Sequence, residues 1–491
     1  MFDALSERVR RVLARFPAVL ARLGLVEREK ADEAFDLAVP AMVTGGLRTV
    51  LRTSDFLMVS LAAGTSAVAG LELGFQYYFI AFGLALALTS GTISVVSRLK
   101  GAGDDAAADF AIKQSLWLAL LVSLPLTAAT WVYATPLVGL LTPDPATVRQ
   151  GATYLRIVML SAVFRFWSMI AARALAGAGD TKTPMYVRLV TLPTNLLLNA
   201  LLIFGLFFFP RLGIAGAAIG TTVANAVAGL AFLGILLSGR WSVTLPVRGK
   251  QWDTAVAAEL VRVALPLAGT RLSRTFGRFP FLFVLGVIGT DVVAAYAIGR
   301  RVMLLALMPA WGYSTAASTL VGQAVGAERD EEAADYGWQT LRIALVTQLL
   351  VAAVIFVLAR PIAAVFGAAN ADLTVTFIRV FGLGVAGFSV SRTLRGGLRG
   401  AGDTRWPFYG GVLGTYVVRL PLAFLALPVG FVVAAGPLGP LPRVAVAPGL
   451  GLGLAAVYAA IVGDMYARAA VNFARFASGA WKHVGATPTA D

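Results

Sequence analysis

Long apolar runs alternate with short polar connections from about residue 35 to residue 475. Each run holds about 20 residues or more, which is what an α-helix rising about 1.5 Å per residue needs to cross the hydrocarbon core of a bilayer. Twelve spans are predicted, near 35–61, 68–97, 111–135, 151–174, 184–208, 213–238, 258–287, 292–322, 337–359, 373–394, 407–434 and 447–475. Helices are the expected form because each satisfies its own backbone N–H and C=O groups where no water reaches. The fold class that follows is an all-α integral membrane protein.

The polar connections divide by charge. The N-terminus and the second, fourth, sixth, eighth and tenth loops hold most cations, among them Arg98, Lys100, Lys113, Arg173, Lys182, Arg240, Arg248, Lys250, Arg329, Arg395, Arg399 and Arg405. The C-terminus adds Arg475 and Lys482. The opposite loops are sparse (Arg149, Arg156, Arg211, Arg360, Arg379 and Arg443), and the hairpins at 62–67 and 288–290 hold none. The positive-inside rule then predicts a multi-pass protein of the cell membrane with both termini cytoplasmic. Residues 5–30 form a basic amphipathic stretch suited to an anionic inner leaflet, with Pro17 breaking it.

Composition narrows the chemistry. The 491 residues are 58% hydrophobic and only 14% charged, too few polar side chains for a water-facing surface. The formal net charge of +15 therefore reads as basic loops rather than a nucleic-acid surface. There is no Cys, which excludes thiolate catalysis, disulfides and Cys-based metal sites. The one His, His483, lies in the C-terminal tail, so His-dependent constellations fail. No G-x-x-x-x-G-K-[ST] loop occurs to cradle ATP. The chain reads as a non-enzyme without a cofactor.

An internal duplication organises the chain. Residues 177–184 read G-A-G-D-T-K-T-P, and residues 400–407, 223 positions later, read G-A-G-D-T-R-W-P, with Tyr186 matching Tyr409. Pro40, Arg48 and Arg52 match Pro266, Arg274 and Arg278, and Ala108-Asp109-Phe110 matches Ala334-Asp335-Tyr336, all at an offset of 226. Ser238-Gly239-x-Trp241 matches Ser478-Gly479-x-Trp481 at an offset of 240, the excess coming from the Pro/Gly-rich insertion at 435–450. Six helices per half is an even number, so the halves are parallel repeats related by an axis along the membrane normal. The predicted organisation is an N-terminal segment 1–34, an N-lobe 35–238, a linker 239–256, a C-lobe 257–482 and a tail 483–491. In the doubled motif, Gly ends one helix in a left-handed turn, while Asp180 and Asp403 are expected to N-cap the next.

These residues resemble the multidrug and toxic compound extrusion (MATE) family across about 35–482. The likeness rests on Pro40, Asp55 before the 62–70 hairpin, the doubled G-A-G-D-T-[KR]-x-P, Asn195-x-x-x-Asn199 and Gly216-Ala-Ala-Ile-Gly-Thr221. It implies an antiporter in which proton or sodium entry drives an organic solute out through a cleft between rocking lobes, the coupling ion being carried and not held as a cofactor. It also implies ion coupling at Asp55, with Asn195, Asn199 and Thr221 as polar partners. In the branch resembled, the Asn199 position is often a second acid; the amide here cannot exchange a proton, which leaves Asp55 alone or with Glu72, and an oxygen-lined sodium site at Asp55, Asn195 and Asn199 is feasible beside proton coupling.

Polar groups within the spans carry the remaining chemistry, because each charge in lipid costs about 2.5–3.5 kcal/mol on insertion scales. Asp55 and Glu72 flank the first hairpin and are candidates for coupling; the structural alternative is that Asp55 neutralises Arg52. Asp291 is placed at an outer helix start. Asp464 is expected to pair with a nearby Arg. Arg48, Arg52, Arg271, Arg274 and Arg278 lie near mid-span in pseudo-symmetric positions, and Arg300-Arg301 lie in the eighth span. If they face the cleft, the solute is anionic or zwitterionic; the alternatives are salt bridges between lobes or snorkelling. A second function class, a flippase for lipid-linked or other anionic precursors, would use the same arginines. The partners implied are the bilayer and a small organic solute, no nucleic acid, and a monomer.

Overall fold

The computed structural model describes residues 16–140, 142, 144–366, 370–430, 449–482 and 484, with the side chains of 48–57, 60, 63–68, 271 and 290 outside the description. The first lobe comprises α1 (Arg28–Gly101), α2 (Asp105–Gly139), α3 (Pro145–Met159), α4 (Ala162–Gly177), α5 (Lys182–Phe204) and α6 (Ile214–Leu237). The second comprises α7 (Thr254–Ile288), α8 (Thr290–Ala306), α9 (Met308–Gly326), α10 (Asp330–Val357), α11 (Ala359–Val365), α12 (Ala371–Gly400), α13 (Arg405–Val412), a π-helix (Leu413–Arg419), α14 (Leu420–Phe424) and α15 (Gly453–Ala477).

Among the described residues, seven helices are long and apolar enough to cross a membrane, or nine when α3–α4, bent by 51°, and α8–α9, bent by 44°, each count as one span. The first limb of α1, α7 and the composite from α13 to α14 complete the twelve. The eleventh helix ends at Phe424 rather than running to 434, and the Pro/Gly-rich insertion at 435–450 lies, apart from its last two residues, outside the described residues.

The helical run of α1 holds 74 residues yet reverses direction. Gly312 packs on the Ala38 carbonyl and Gly326 on the Arg98 carbonyl, both glycines belonging to α9. A straight helix would hold Ala38 and Arg98 about 90 Å apart, against about 20 Å between the two glycines. The reversal falls between Gly46, which meets Met308, and Gly91, which meets Leu260, an interval that contains the hairpin predicted at 62–67.

The doubled motif builds the same turn twice. Gly179 and Gly402 adopt φ of +92° and +86°, and the next amides, of Asp180 and Asp403, each donate at 2.8 Å to a carbonyl five residues back, on Leu175 and Leu398. Beyond that the halves diverge. Asp180 caps as expected, accepting from the Thr183 amide at 2.9 Å. Asp403 does not: its buried carboxylate accepts from Arg475 Nε at 2.6 Å, and α13 starts without a side-chain cap. A charge-assisted bond to a guanidinium outcompetes an amide for the same oxygens.

The lobes are joined at the end that carries these motifs. Arg98 donates to Glu259 at 2.6 Å, Thr319 to the Ala176 carbonyl at 2.7 Å, Gln323 to the Gly177 carbonyl at 3.0 Å and Arg173 to Thr315 at 3.0 Å. The pairing is pseudo-symmetric: the start of α1 lies along α9, while the start of α7 lies along the second limb of α1. The N-terminal segment joins this closure. Residues 16–22 are helical, the chain turns at Gly24, and Leu20 and Val26 enter one apolar cluster with Phe35 of α1 and with Tyr313 and Ile343 of the other lobe. Leu20 and Val26 are thus covered by protein, while Val19, Leu23 and Leu25 stay exposed. Lys30 reaches across to Asp335, whose carboxylate, with Glu27 behind it, holds the ammonium above its ordinary 10.5. With its pKa raised, the ammonium's contribution is fully present below 10.5 and is lost as pH rises past it.

The connection at 238–253 folds back on α2. Lys113, expected as a loop cation, is buried and donates to the carbonyls of Arg248 and Lys250, while Asp109 accepts from the Thr244 amide and hydroxyl.

Candidate functional site

In the first lobe, Gly216 and Gly220 bring α6 against α5. A Cβ on Gly216 would meet the Leu202 carbonyl at 2.5 Å, and one on Gly220 would meet Asn199 Oδ1 at 2.0 Å. Small residues one turn apart are what allow two helix backbones to touch. The contact presses α6 onto a buried amide pair, in which Asn199 donates to Asn195 Oδ1 at 3.4 Å. Thr221, half-buried, follows Gly220 directly. The structure therefore brings Asn195, Asn199 and the 216–221 segment together. Gly220→Ala is expected to drive Asn199 out of this arrangement and to cost about 1–3 kcal/mol of stability. Thermal melting in detergent measures it, and an unchanged midpoint would show the close approach to be dispensable.

Asp55 lies on α1, but its side chain, like those of Arg48, Arg52 and Arg271, is outside the described residues. Glu72 is exposed and accepts from Gln76 at 3.3 Å, a bond within its own helix rather than to the amide pair. A second buried polar group was not foreseen in this lobe: Asn225 donates to Ser161 at 3.1 Å and to Tyr78 at 3.4 Å.

In the second lobe, Asp464 is paired as expected. Arg468 Nε donates to Asp464 Oδ1 at 2.7 Å and its Nη2 to Thr415 at 2.7 Å, with both charged residues more than nine-tenths buried. Thr415 belongs to the π-helix, whose wider turn also lets Gly414 lie against the pair. A neutralised buried pair accounts for one mid-span carboxylate without assigning it to ion coupling.

Of the pseudo-symmetric arginines, Arg274 and Arg278 have described side chains. Arg274 is half-buried on α7 and Arg278 is exposed four residues further on. The group that gathers near them is Arg300 and Arg301 of α8 and Arg419, the last residue of the π-helix. Arg300 feels the repulsion of Arg278, Arg419 and Arg301. Arg419 stacks over Phe281, 3.9 Å from the ring centre, and donates to Tyr296 at 3.0 Å. Arg419 was not singled out from the sequence; the signal was a lone Arg in the middle of an apolar span.

Two parallel lobes of six spans, joined at one end and holding separate buried polar clusters, define a membrane transporter. The sequence profile of the MatE family matches residues 40–201 and again 266–425, so the two matches begin one repeat offset apart. The chain belongs to the MatE family of multidrug and toxic compound extrusion transporters. A probable multidrug resistance protein NorM from Thermotoga maritima is 26% identical over 458 residues, covering 92% of this chain and 94% of that one. Another, from Bradyrhizobium diazoefficiens, is 28% identical over 418 residues, covering 82% and 88%. In fold, the chain is similar to a crystal structure of MATE in the bent conformation, with a TM-score of 0.82 at 22% identity over 93% of this chain and 97% of that one.

Proposed function

We propose that the protein is a secondary antiporter that exports a small organic solute in exchange for sodium or protons by rocking its two lobes. The observation that carries the reading is that, among the described residues, close glycine contacts and hydrogen bonds close the lobes at the motif end, from Gly101 against Gln323 to Thr319 against Ala176. An interface confined to one end leaves the halves free to pivot about it. The basic loops assign that end to the cytoplasm, so the described state is closed inward. Family membership and relatives named as multidrug resistance proteins support export, and no comparison favours the flippase reading.

We assign ion coupling to the first lobe, at Asp55 with Asn195, Asn199 and Thr221. One carboxylate with amide and hydroxyl oxygens suits a hard monovalent cation, and no second acid is needed. Glu72, exposed and nearer the outer end, is assigned a place on the ion's path. The test is gradient-driven movement of ethidium and of riboflavin 5′-phosphate in proteoliposomes, with sodium and proton gradients imposed separately. Wild type should move at least one solute with one gradient. Asp55→Asn should lose that movement by about tenfold or more, the equivalent of the coupling charge–ligand interaction. Asp372→Asn, which removes only an exposed pair with Arg360, should keep it. Equal activity of Asp55→Asn and wild type would refute the assignment.

A further inference from the structure

We infer that Arg300, Arg301 and Arg419, with Arg278, form a phosphate-class anion site in the second lobe. The inference deepens the antiporter reading by naming the chemical class of its solute, and it rests on that reading only for the use to which the site is put.

Four guanidinium groups converge from three separate elements: Arg278 from α7, Arg300 and Arg301 from α8, and Arg419 from the end of the π-helix. Arg419 bridges Phe281, one turn on from Arg278 in α7, and Tyr296, one turn before Arg300 in α8, and beside its burial Arg300 feels the charges of Arg278, Arg419 and Arg301. The acids of this lobe are committed elsewhere: Asp464 to Arg468, Asp403 to Arg475, Asp372 to Arg360 and Glu259 to Arg98. Asp291, at the outer start of α8, is about 13 Å along the helix from Arg300. Among the described residues, Arg278, Arg300, Arg301 and Arg419 join no ion pair.

The cluster lies deep. Arg278 is ten residues from the outer end of α7, and Arg300 ten from the outer end of α8, which places each about 15 Å below the helix ends. A mid-membrane charge needs a counter-charge, water or a ligand. Arg419 is held rigidly, its plane on Phe281 and one nitrogen on the Tyr296 hydroxyl, yet its Nε is buried with no hydrogen-bond partner. Arg278 and Arg301 are exposed. A preset guanidinium with an unused donor, beside further guanidinium groups, matches the geometry of a phosphate, which accepts from several N–H groups at once. A monovalent cation or an organic cation would meet four like charges. A single carboxylate would leave most of them uncompensated, so the class is phosphate or pyrophosphate.

The free phosphate-bearing solute and the phosphate of a lipid headgroup share this chemistry, and the test separates them. Riboflavin and riboflavin 5′-phosphate carry the same fluorescent ring and differ in the phosphate alone. Their equilibrium binding is measured by fluorescence titration of the full-length protein in nanodiscs, without any ion gradient, so failure of coupling does not affect the result. In phosphatidylcholine, the phosphate form should bind at least about tenfold more tightly than riboflavin, and ethidium should not compete. Arg300→Gln and Arg419→Gln should each bring its affinity down towards that of riboflavin, while Arg300→Lys retains most of it. If Arg419→Gln melts below the binding temperature, Arg278→Gln, at an exposed position, takes its place. Repeating the titration in phosphatidylglycerol nanodiscs assigns the occupant: displacement by that lipid makes it a headgroup, and unchanged binding makes it a soluble phosphate. Equal binding of the two flavins, or full affinity in both Gln variants, would overturn the site.

Discussion

Asp464→Asn is expected to destabilise the protein by about 3–5 kcal/mol, because it leaves Arg468 as an uncompensated charge more than nine-tenths buried. The geometry explains the size of the effect. Arg468 spends Nε on Asp464 and one Nη on Thr415, and its other Nη is buried without a partner. Asparagine keeps the shape and one oxygen but removes the charge that makes the guanidinium tolerable there. At roughly 2 °C per kcal/mol for a large helical unit, the melting midpoint in detergent should fall by about 6–10 °C. Asp464→Asn with Arg468→Met should recover most of that loss, since replacing both partners of a buried pair by neutral groups is often near neutral. A single variant as stable as wild type would mean that water or lipid headgroups reach the pair. Stability preserved with transport abolished would instead make Asp464 a coupling carboxylate.

The second large effect concerns the joint between the lobes. A Cβ on Gly101 would lie 1.8 Å from the Gln323 carbonyl oxygen, and one on Gly326 would lie 1.8 Å from that of Arg98. Both obstacles are backbone of the opposite lobe, so no rotamer change relieves them. Gly101→Val and Gly326→Val should therefore hold the motif end apart without disturbing either lobe's own core. The chain's lack of Cys makes the readout clean. Thr319 is buried at the joint, where it bonds to the Ala176 carbonyl. Thr319→Cys should resist a membrane-impermeant maleimide in the parent background and react about tenfold faster or more once Gly101→Val is added. Such a gain corresponds to removing roughly 1.4 kcal/mol or more of closure. Transport should fall in parallel, because an exporter unable to close inward cannot complete its cycle. Unchanged labelling would show that the glycine contacts do not govern the closure.

Much of this architecture is legible from pattern alone, for physical reasons that also mark the limits. Span number and repeat follow from composition and local motif, since lipid selects apolar length and a left-handed turn selects Gly. The turn at Gly179 recurs at Gly402 for that reason. The Asp464–Arg468 pair is legible because four residues on one helix face are near neighbours. Its counterpart at Asp403 is not, because Arg475 lies 72 residues away and reaches it only through packing of α15 on α13. Pro309 foreshadows the break between α8 and α9, but no Pro or Gly lies within eight residues of the bend between α3 and α4 at 160–161. The Ser-Gly-x-Trp match is real in sequence and divergent in structure: Trp481 is fully buried on Phe476, whereas Trp241 is 38% exposed. Least legible is the arginine cluster. Arg278 of α7 belongs to the pseudo-symmetric set, whereas its neighbours come from α8 and from a π-helix that no periodicity announces.

A rocking antiporter opens its two ends in alternation. The most direct measurement is a pair of spin-label distances in the Cys-free chain, one across each end. Ala106→Cys with Glu331→Cys spans the lobes at the motif end, and Phe208→Cys with Val365→Cys spans them at the other, where both side chains are 86% exposed. Adding the coupling ion or a transported solute should move the two distances in opposite senses, the first lengthening as the second shortens. Distances that stay fixed, or that lengthen together, would contradict a rocking antiporter.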